Sequence, residues 1–201
     1  MPKLSEDKKI ERKKKILAAA LNEFSEKGYS ATSVDDIINR ANISKGLIYT
    51  YFKSKEEIFL QLAEYWEEMT DQRKVLNFEF PEEFTLTEKL ITVWDSIVDT
   101  WTLDNLQFAR IQFEFWFESS KIPQLKEIMK KKSNSSFQII ENVIIEHTPS
   151  IDRNLLHAFV RLWWSQVDGL VIYFVSHSTL PNPKEMEKIR EIIKKMCDIL
   201  E

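Results

Sequence analysis

Apolar residues recur at helical spacing along most of the chain. Near the N-terminus, Leu17, Ala20, Leu21 and Phe24 lie three or four positions apart, which places them on one face of an amphipathic helix. Gly28 is expected to end this helix, because glycine readily adopts the left-handed conformation found at helix C-termini. Only 3 glycines and 6 prolines interrupt the 201 residues, which favours long helices over many short strands. The pattern predicts an all-α protein.

Two short helices are predicted to follow the first. Ser33 is a favourable N-cap for the second helix, and two aspartates stand in its first turn, where the helix dipole favours acids. A turn at Asn42 and Ile43 separates it from a third helix, predicted over 45–52 with Ser44 as its N-cap. Two short helices joined by a tight turn form a helix-turn-helix.

A longer helical segment is predicted after this motif. Ser54 and Glu57 have the spacing of a capping box and open a fourth helix. Residues 78–84 break the helical pattern and are predicted to be a loop. Helical patterns then resume at about 85–103, 105–120, 123–147, 152–177 and 183–200.

Charge and cysteine content restrict the possible functions. The net charge is −4, but residues 1–60 carry 12 Lys and Arg against 9 Asp and Glu. A basic first third on an acidic body suggests that the first third binds an anion, although the lysine run at 13–15 is interpreted first as a solvated helix face. Cys197 is the single cysteine, so neither a disulfide within the chain nor a cysteine-paired zinc site is possible. The chain opens without an apolar signal segment, and no apolar run reaches the ~20 residues that span a bilayer, so we expect a cytoplasmic protein.

The predicted third helix has two distinct faces. Ile48 and Phe52 lie one turn apart and are expected to face the core. The opposite face then presents Gly46, Thr50 and Lys53, with an aromatic and an aliphatic side chain on its flanks. Glycine permits close approach of the backbone, and the lysine supplies positive charge. This combination is suited to reading a DNA groove.

Five segments follow one another in a specific order and spacing. They are ILAAA at 16–20 with Phe24, KGY at 27–29, TSVDDI at 32–37, ISKGLIYTYF at 43–52 and KSKEEI at 53–58. Together they resemble the DNA-binding domain of the tetracycline-repressor (TetR/AcrR) family, over about residues 10–70. The resemblance implies a helix-turn-helix at about 33–52, with the third helix in the major groove. It also implies a DNA-binding domain at 1–55 and an effector-binding and dimerisation domain at 56–201.

Positions that match the family motif are the expected DNA contacts. Lys55, at the start of the fourth helix, matches the usual phosphate-contacting lysine, and serines at helix N-termini are further candidates for phosphate. For Leu47 and Tyr51, packing within the domain is an equally open alternative. The predicted contacts are Ser33, Ser44, Lys45, Gly46, Leu47, Tyr49, Thr50, Tyr51, Lys53 and Lys55.

The remainder of the chain is rich in aromatic residues. Most are expected in the core, since large apolar side chains at helical spacing normally are, but several are candidates for an effector pocket. Arg110 and Glu114 lie four residues apart and are interpreted first as a structural ion pair. The resemblance implies dimerisation through the helices at 152–177 and 183–200, two from each subunit. The candidate effector residues are Trp94, Arg110, Phe113, Glu114, Phe117, Trp163 and Asp168.

The expected function is sequence-specific DNA binding by a homodimeric transcriptional regulator. The resemblance implies a repressor that a small-molecule effector releases from a palindromic operator. An enzyme is not expected, because the chain has no glycine-rich phosphate loop, no paired zinc histidines and no nucleophile elbow, and no cofactor is predicted. The alternative is a non-catalytic helical protein-interaction module, which would explain the helices but not the DNA-reading face. Salt-sensitive binding to duplex DNA discriminates between the two.

Overall fold

The computed structural model describes residues 6–69, 78–99, 103–177, 179 and 182–200. Within these ranges the regular structure is entirely helical, which confirms the predicted all-α class. No helix in the described ranges combines the length and apolarity needed to cross a membrane. The helices are α1 Glu6–Lys27, α2 Val34–Ala41, α3 Lys45–Ile48, α4 Lys55–Met69, α5 Leu86–Val98, α6 Leu103–Glu118, α7 Pro123–His147, α8 Arg153–His177 and α9 Pro183–Cys197, followed by a 3₁₀ turn Asp198–Leu200.

Helix α1 ends where the glycine predicts. Gly28 has φ +83°, and its N–H donates to the carbonyl of Phe24 at 2.8 Å. The apolar face predicted for α1 is buried, with Leu17, Ala20 and Phe24 almost fully excluded from solvent. A Cβ built at Gly28 would lie 2.9 Å from Oε1 of Glu114, so this position favours glycine both for its conformation and for its space.

The helix-turn-helix is formed by α2 and α3, and α2 begins at its predicted cap. Ser33 Oγ accepts the N–H of Asp36 at 3.1 Å, and the Asp36 carboxylate accepts the N–H of Ser33 at 2.8 Å. Asn42 ends α2 in the left-handed region, at φ 50°. Helix α3 is shorter than the predicted 45–52. The N–H groups of Thr50 and Tyr51 bond to carbonyls three residues back, so a tighter turn follows Ile48. The N–H of Phe52 then closes this turn with a bond to the carbonyl of Ile48, four residues back, at 3.0 Å.

Helix α4 begins with a modified capping box. Ser54 Oγ accepts the N–H of Glu57 at 3.0 Å, as the sequence predicts. The carboxylate of Glu57, however, accepts the N–H of Lys53 at 2.6 Å, one residue before the serine. Both contacts stabilise the connection between α3 and α4.

The chain forms two compact units. The first comprises Met1–Glu67 and Gln107–Met129, and the second Glu68–Leu106 and Lys130–Glu201. In the first unit, Phe59 of α4 contacts Phe24 of α1 and Phe115 of α6, with ring centroids 5.2 and 4.8 Å apart. Helix α4 therefore packs against α1 and α6 within the first unit, while the functional boundary after residue 55 stays a prediction.

The second unit has its own apolar core. Trp94 of α5 and Trp163 of α8 are almost completely buried within it. Arg190 of α9 holds Asp95 of α5 in a bidentate ion pair, with Nε–Oδ1 and Nη2–Oδ2 distances of 2.8 Å. This pair fixes the last helix against α5.

Candidate DNA-recognition surface and effector residues

Two buried side chains set the orientation of α3. Ile48 and Phe52 are almost fully buried, as predicted, and they pack in a unit that also buries Ile37 and Ile38 of α2. The N–H of Ile43 donates to the carbonyl of Ile38 at 3.2 Å and closes the turn between the two helices. Because one face of α3 is committed to the core, its opposite face must point outward.

The outward face carries the predicted reading residues. Ser44, Lys45, Gly46, Thr50 and Lys53 are exposed. A Cβ built at Gly46 would meet no atom of the described residues within 4 Å, so another backbone can approach closely there. These exposed polar, basic and small residues all lie within residues 44–53, and we call them the α3 surface.

Three further predicted contacts differ in exposure. Tyr49 is 49% exposed and belongs to the α3 surface. Leu47 and Tyr51 are half-buried, so both alternatives stated for them, DNA contact and packing, stay open.

Acidic residues of α2 lie beside this surface. Lys45 Nζ is 2.9 Å from Oδ1 of Asp35, and this hydrogen bond raises the pKa of Lys45, which keeps it charged. At the N-terminus of α2, hydrogen bonds from Lys27 and then from Ser33 hold the pKa of Asp36 well below its usual range. The Asp36 carboxylate thus already occupies part of the anion-binding end of α2, next to the predicted phosphate contact Ser33.

Lys55 has protein partners for its ammonium group. Its Nζ donates to the carbonyls of Tyr29 and Thr32 at 2.8 Å and of Ser30 at 3.4 Å. It also lies 4.5 Å from the ring centroid of Tyr29. Its role as a phosphate contact stays a prediction. A phosphate would have to share the ammonium group with these carbonyls.

The predicted effector residues divide between the two units. Arg110, Phe113, Glu114 and Phe117 lie in the first unit, and Trp94, Trp163 and Asp168 lie in the second. Arg110 Nη1 donates to the carbonyl of Glu26 at 2.9 Å and so caps the C-terminus of α1. Phe117 is 72% exposed.

Helix α8 carries a group of polar atoms with few partners, which we call the α8 polar cluster: Trp163, Trp164, Gln166 and Asp168. The indole N–H groups of Trp163 and Trp164, and Nε2 of Gln166, are buried and find no hydrogen-bond partner among the residues that the structure describes. Oε1 of Gln166 accepts from Nε1 of Trp94 at 3.1 Å. Burial raises the pKa of Asp168 to about 6.

Sequence reasoning missed two members of this cluster. Trp164 stands one helical turn before Asp168, and that i, i+4 spacing is a signal that the sequence contains. Gln166 has no such signal, because its partner Trp94 lies 72 residues away in the chain.

A short α2, a tight turn and an α3 with an exposed polar face form a helix-turn-helix, a motif typical of one class of DNA-binding proteins. The family model described as "Bacterial regulatory proteins, tetR family" matches residues 16–62, which contain the α3 surface and Lys55.

Curated relatives agree with this class. The HTH-type transcriptional regulator YhgD of Bacillus subtilis is 54% identical over 50 residues, 25% of this chain and 26% of that protein. YuxN of the same organism is 31% identical over 134 residues, covering 64% of this chain and 43% of that protein. The matched segments thus span less than half the length of these two relatives. The regulator QacR of Staphylococcus aureus is 26% identical over 90% of this chain and 95% of that protein.

Solved structures show the same fold over nearly the whole chain. A transcriptional regulator from Rhodococcus sp. Rha1 has a TM-score of 0.73 at 21% identity, covering 92% of this chain and 94% of that one. GusR of Salmonella enterica has a TM-score of 0.70 at 17% identity, covering 97% and 98%. Residues 16–62 are thus similar to the tetR family of bacterial regulatory proteins, and the chain shares its fold with these solved structures.

Proposed function

We propose that this protein is a sequence-specific DNA-binding transcriptional regulator. It acts in the cytoplasm as a homodimeric repressor, and a small-molecule effector releases it from a palindromic operator. The observation that carries the proposal is the α3 surface, held outward by buried Ile48 and Phe52 in a chain similar to the tetR family over residues 16–62. Repression is favoured by IcaR of Staphylococcus epidermidis, named as a negative transcriptional regulator and 44% identical over 52 residues.

In this proposal α3 enters the major groove. Its exposed residues contact base edges and backbone, while serines at helix N-termini contact phosphates. The residues proposed to contact DNA are Ser33, Ser44, Lys45, Gly46, Leu47, Tyr49, Thr50, Tyr51 and Lys53. Lys55, the tenth predicted contact, is proposed to contact phosphate from the start of α4.

Selection of duplex DNA from a random pool by the purified protein tests the proposal. We expect enrichment of a palindrome whose half-site spacing reflects the dimer. Binding of the enriched duplex is expected to weaken steeply as salt is raised, because phosphate contacts release counterions. A folded protein that enriches no sequence and shows no salt-sensitive DNA binding would instead support the interaction-module alternative.

Alanine at Lys45 or Tyr49 is expected to weaken operator binding by ~1–3 kcal/mol, because each removes a contact from the α3 surface. Affinities for the selected operator and for a scrambled duplex, measured by fluorescence anisotropy, distinguish a base contact from a phosphate contact. Lys126→Ala removes an exposed lysine from α7 and serves as the control. Wild-type affinity in both α3 variants would reject the assignment of this surface.

An exposed stripe on α8 is proposed as the main dimer contact. It consists of apolar and small residues that recur at spacings of three and four: Leu155, Ala158, Leu162, Ser165, Gly169, Ile172, Tyr173 and Ser176. A Cβ at Gly169 would meet nothing within 4 Å, so a second helix can approach closely there. Ile192 and Ile199, both exposed and seven residues apart, extend the apolar surface at the C-terminus. The pattern suits helix packing against a second copy.

The α8 polar cluster is proposed to contact the effector. Its buried N–H groups require hydrogen-bond acceptors, and the Asp168 carboxylate requires a hydrogen-bond donor or a cation. A ligand that carries an acceptor together with a donor or a positive charge would therefore bind in preference to a purely apolar ligand. The predicted effector residues are Trp94, Trp163 and Asp168, together with Arg110, Phe113, Glu114 and Phe117 of the first unit. Effector and operator would favour different conformations, so each would lower the affinity for the other.

The raised pKa of Asp168 predicts a specific pH dependence. In the unfolded chain this carboxyl loses its proton near its usual pKa, about 3.9, whereas in the fold it does so at about 6. Below about pH 4 this carboxyl is protonated in both states, so its burial does not lower the stability of the fold. As the pH rises through 6 the fold has to bury a charged carboxylate, and the free energy of unfolding falls. We expect Asp168→Asn to raise the free energy of unfolding at pH 8 by about 1–3 kcal/mol and to leave it unchanged at pH 4.

Urea unfolding of both proteins at the two pH values, at one protein concentration, measures this effect. Asp198→Asn, an exposed aspartate after α9, is the matched control and should show no such difference. An equal effect of Asp168→Asn at both pH values would show that a neutral side chain packs better there, and would remove titration as the cause.

A further inference from the structure

A group of exposed basic residues lies on one side of α1. Lys8, Arg12 and Lys15 follow one another at spacings of four and three, so they share one side of the helix, and all three are exposed. We propose that this group, which we call the α1 basic flank, binds backbone phosphates of the operator outside the base pairs that α3 reads. The inference rests on the proposed DNA-binding function and extends the DNA-binding surface to α1.

The packing of α1 fixes the direction in which the flank points. Leu17, Ala20 and Phe24 are almost fully buried and form the face of α1 that packs within the first unit. Counted at 3.6 residues per turn, the α1 basic flank lies on a different side of the helix from this buried face. Because the core fixes the rotation of α1 about its own axis, the three basic side chains are presented to solvent as one group.

The flank carries positive charge that has no acidic partner. Elsewhere in the first unit basic residues are paired, as Lys27 is with Asp36 and Arg40 is with Glu23. Within the described ranges, by contrast, none of the three flank residues forms an ion pair. Three neighbouring positive charges attract counter-ions, and a DNA backbone that displaces the anions between them and the cations around itself gains their entropy. The chemistry of the flank therefore fits a polyanion.

The structure divides the lysine run of α1 between different surroundings. Lys13 Nζ lies 5.2 Å from the ring centroid of Tyr65 in α4, so its ammonium is held against the first unit. Lys14 is exposed and lies three residues after Glu11, so an acid shares its side of the helix. Lys15 belongs to the α1 basic flank. Positive charge without accompanying acids is therefore concentrated on one side of α1.

The first turns of α1 lie beside one of the proposed DNA contacts. The hydrogen bond from Lys9 to Glu6 and the charge of Glu6 raise the pKa of Lys9, and the nearby phenol group of Tyr51 raises it further. Lys9 thus lies close to Tyr51, which follows α3 and is among the residues proposed to contact DNA. Lys8 precedes Lys9 directly and Arg12 follows it by one helical turn. The α1 basic flank is therefore placed to continue the contact from Tyr51 along the DNA backbone.

Two triple variants of equal charge test this inference in the full chain. The flank variant combines Lys8→Gln, Arg12→Gln and Lys15→Gln. The control variant removes three exposed lysines from other positions, through Lys14→Gln, Lys126→Gln and Lys130→Gln. Glutamine is a good helix former and the replaced side chains are exposed, so we expect both variants to unfold in urea at the wild-type midpoint.

Operator affinity is then measured as a function of salt concentration for the wild type and both variants. We expect the flank variant to bind at least about tenfold more weakly near 0.1 M salt and its slope of log K against log salt to fall by about two units or more, because each lost phosphate contact removes about 0.9 from the slope. The control variant should keep the wild-type slope. An unchanged slope in the flank variant, or an equal fall in both variants, would overturn the inference.

Ethylation interference on the selected operator locates the phosphates involved. For the wild type and the control variant, ethylation of phosphates outside the base pairs that α3 reads should weaken binding. For the flank variant these positions should no longer interfere. An interference pattern identical to that of the wild type would overturn the inference. Loss of binding to phosphatidylserine vesicles in the flank variant, with wild-type operator affinity, would also overturn it and would assign the flank to a membrane surface.

These outcomes are distinguishable from a failure of the proposed function. If the wild type binds no duplex in a salt-sensitive manner, the proposed function is wrong. If the wild type binds its operator and the flank variant keeps the wild-type slope and interference pattern, only the role of the α1 basic flank is wrong.

Discussion

Replacing Leu162 by glutamate is expected to lower operator affinity about 100-fold or more, because the variant can no longer form the proposed homodimer. Leu162 is 62% exposed and lies in the middle of the α8 stripe. In a two-fold interface its counterpart from the second copy would lie close by, so the substitution places two like charges in an apolar contact. A single α3 reads only a few base pairs, and the second half-site supplies the remaining affinity.

Sedimentation equilibrium and operator titration, both at low micromolar protein, measure the two consequences of Leu162→Glu. Phe117→Glu introduces the same charge at another exposed apolar residue, outside the α8 stripe, and is the control. We expect the control to remain dimeric. If Leu162→Glu also remains dimeric and keeps wild-type affinity, the α8 stripe is not the interface.

Local sequence signals located most helix ends correctly. Gly28, Ser33 and Ser54 act within a few residues of the ends that they mark, so capping and backbone preferences are enough to predict those ends. The end of α3 was placed four residues too late. Periodicity still holds for Ile48 and Phe52, and it does not distinguish an α-helical turn from the tighter 3₁₀-like bonds that follow Ile48.

Long-range contacts explain what the sequence could not predict. The residues around Lys55 in the sequence show only that it is a basic residue at a helix N-terminus. Its carbonyl partners lie 23 to 26 residues earlier in the chain, so the local pattern does not reveal them. Likewise, nothing in the sequence indicates that Arg110 donates to the carbonyl of Glu26, 84 residues away. Its ion pair with Glu114 stays a prediction. The residue type determines which interactions a side chain can make, whereas tertiary packing determines the residue with which it makes them.

Valine at position 28 is expected to lower the free energy of unfolding by about 3 kcal/mol, because φ +83° is a conformation that β-branched residues avoid. The added Cβ would also approach Oε1 of Glu114 and Nη2 of Arg110, at 2.9 and 3.2 Å. Moving these side chains would disturb the Arg110 bond to Glu26 at the end of α1. Conformation and contact therefore act in the same direction. Urea unfolding at one fixed protein concentration measures the loss.

Asparagine at the same position separates the two causes. Gly28→Asn adds a Cβ in the same place, but asparagine tolerates the left-handed region far better than valine. If backbone strain dominates, Gly28→Asn should cost about 1 kcal/mol, well below the valine variant. Gly46→Ala, at an open helical position, should cost nothing or stabilise slightly. Equal losses for valine and asparagine would assign the effect to Glu114 and Arg110, and would make the space beside Gly28, rather than its φ angle, the reason that glycine stands there.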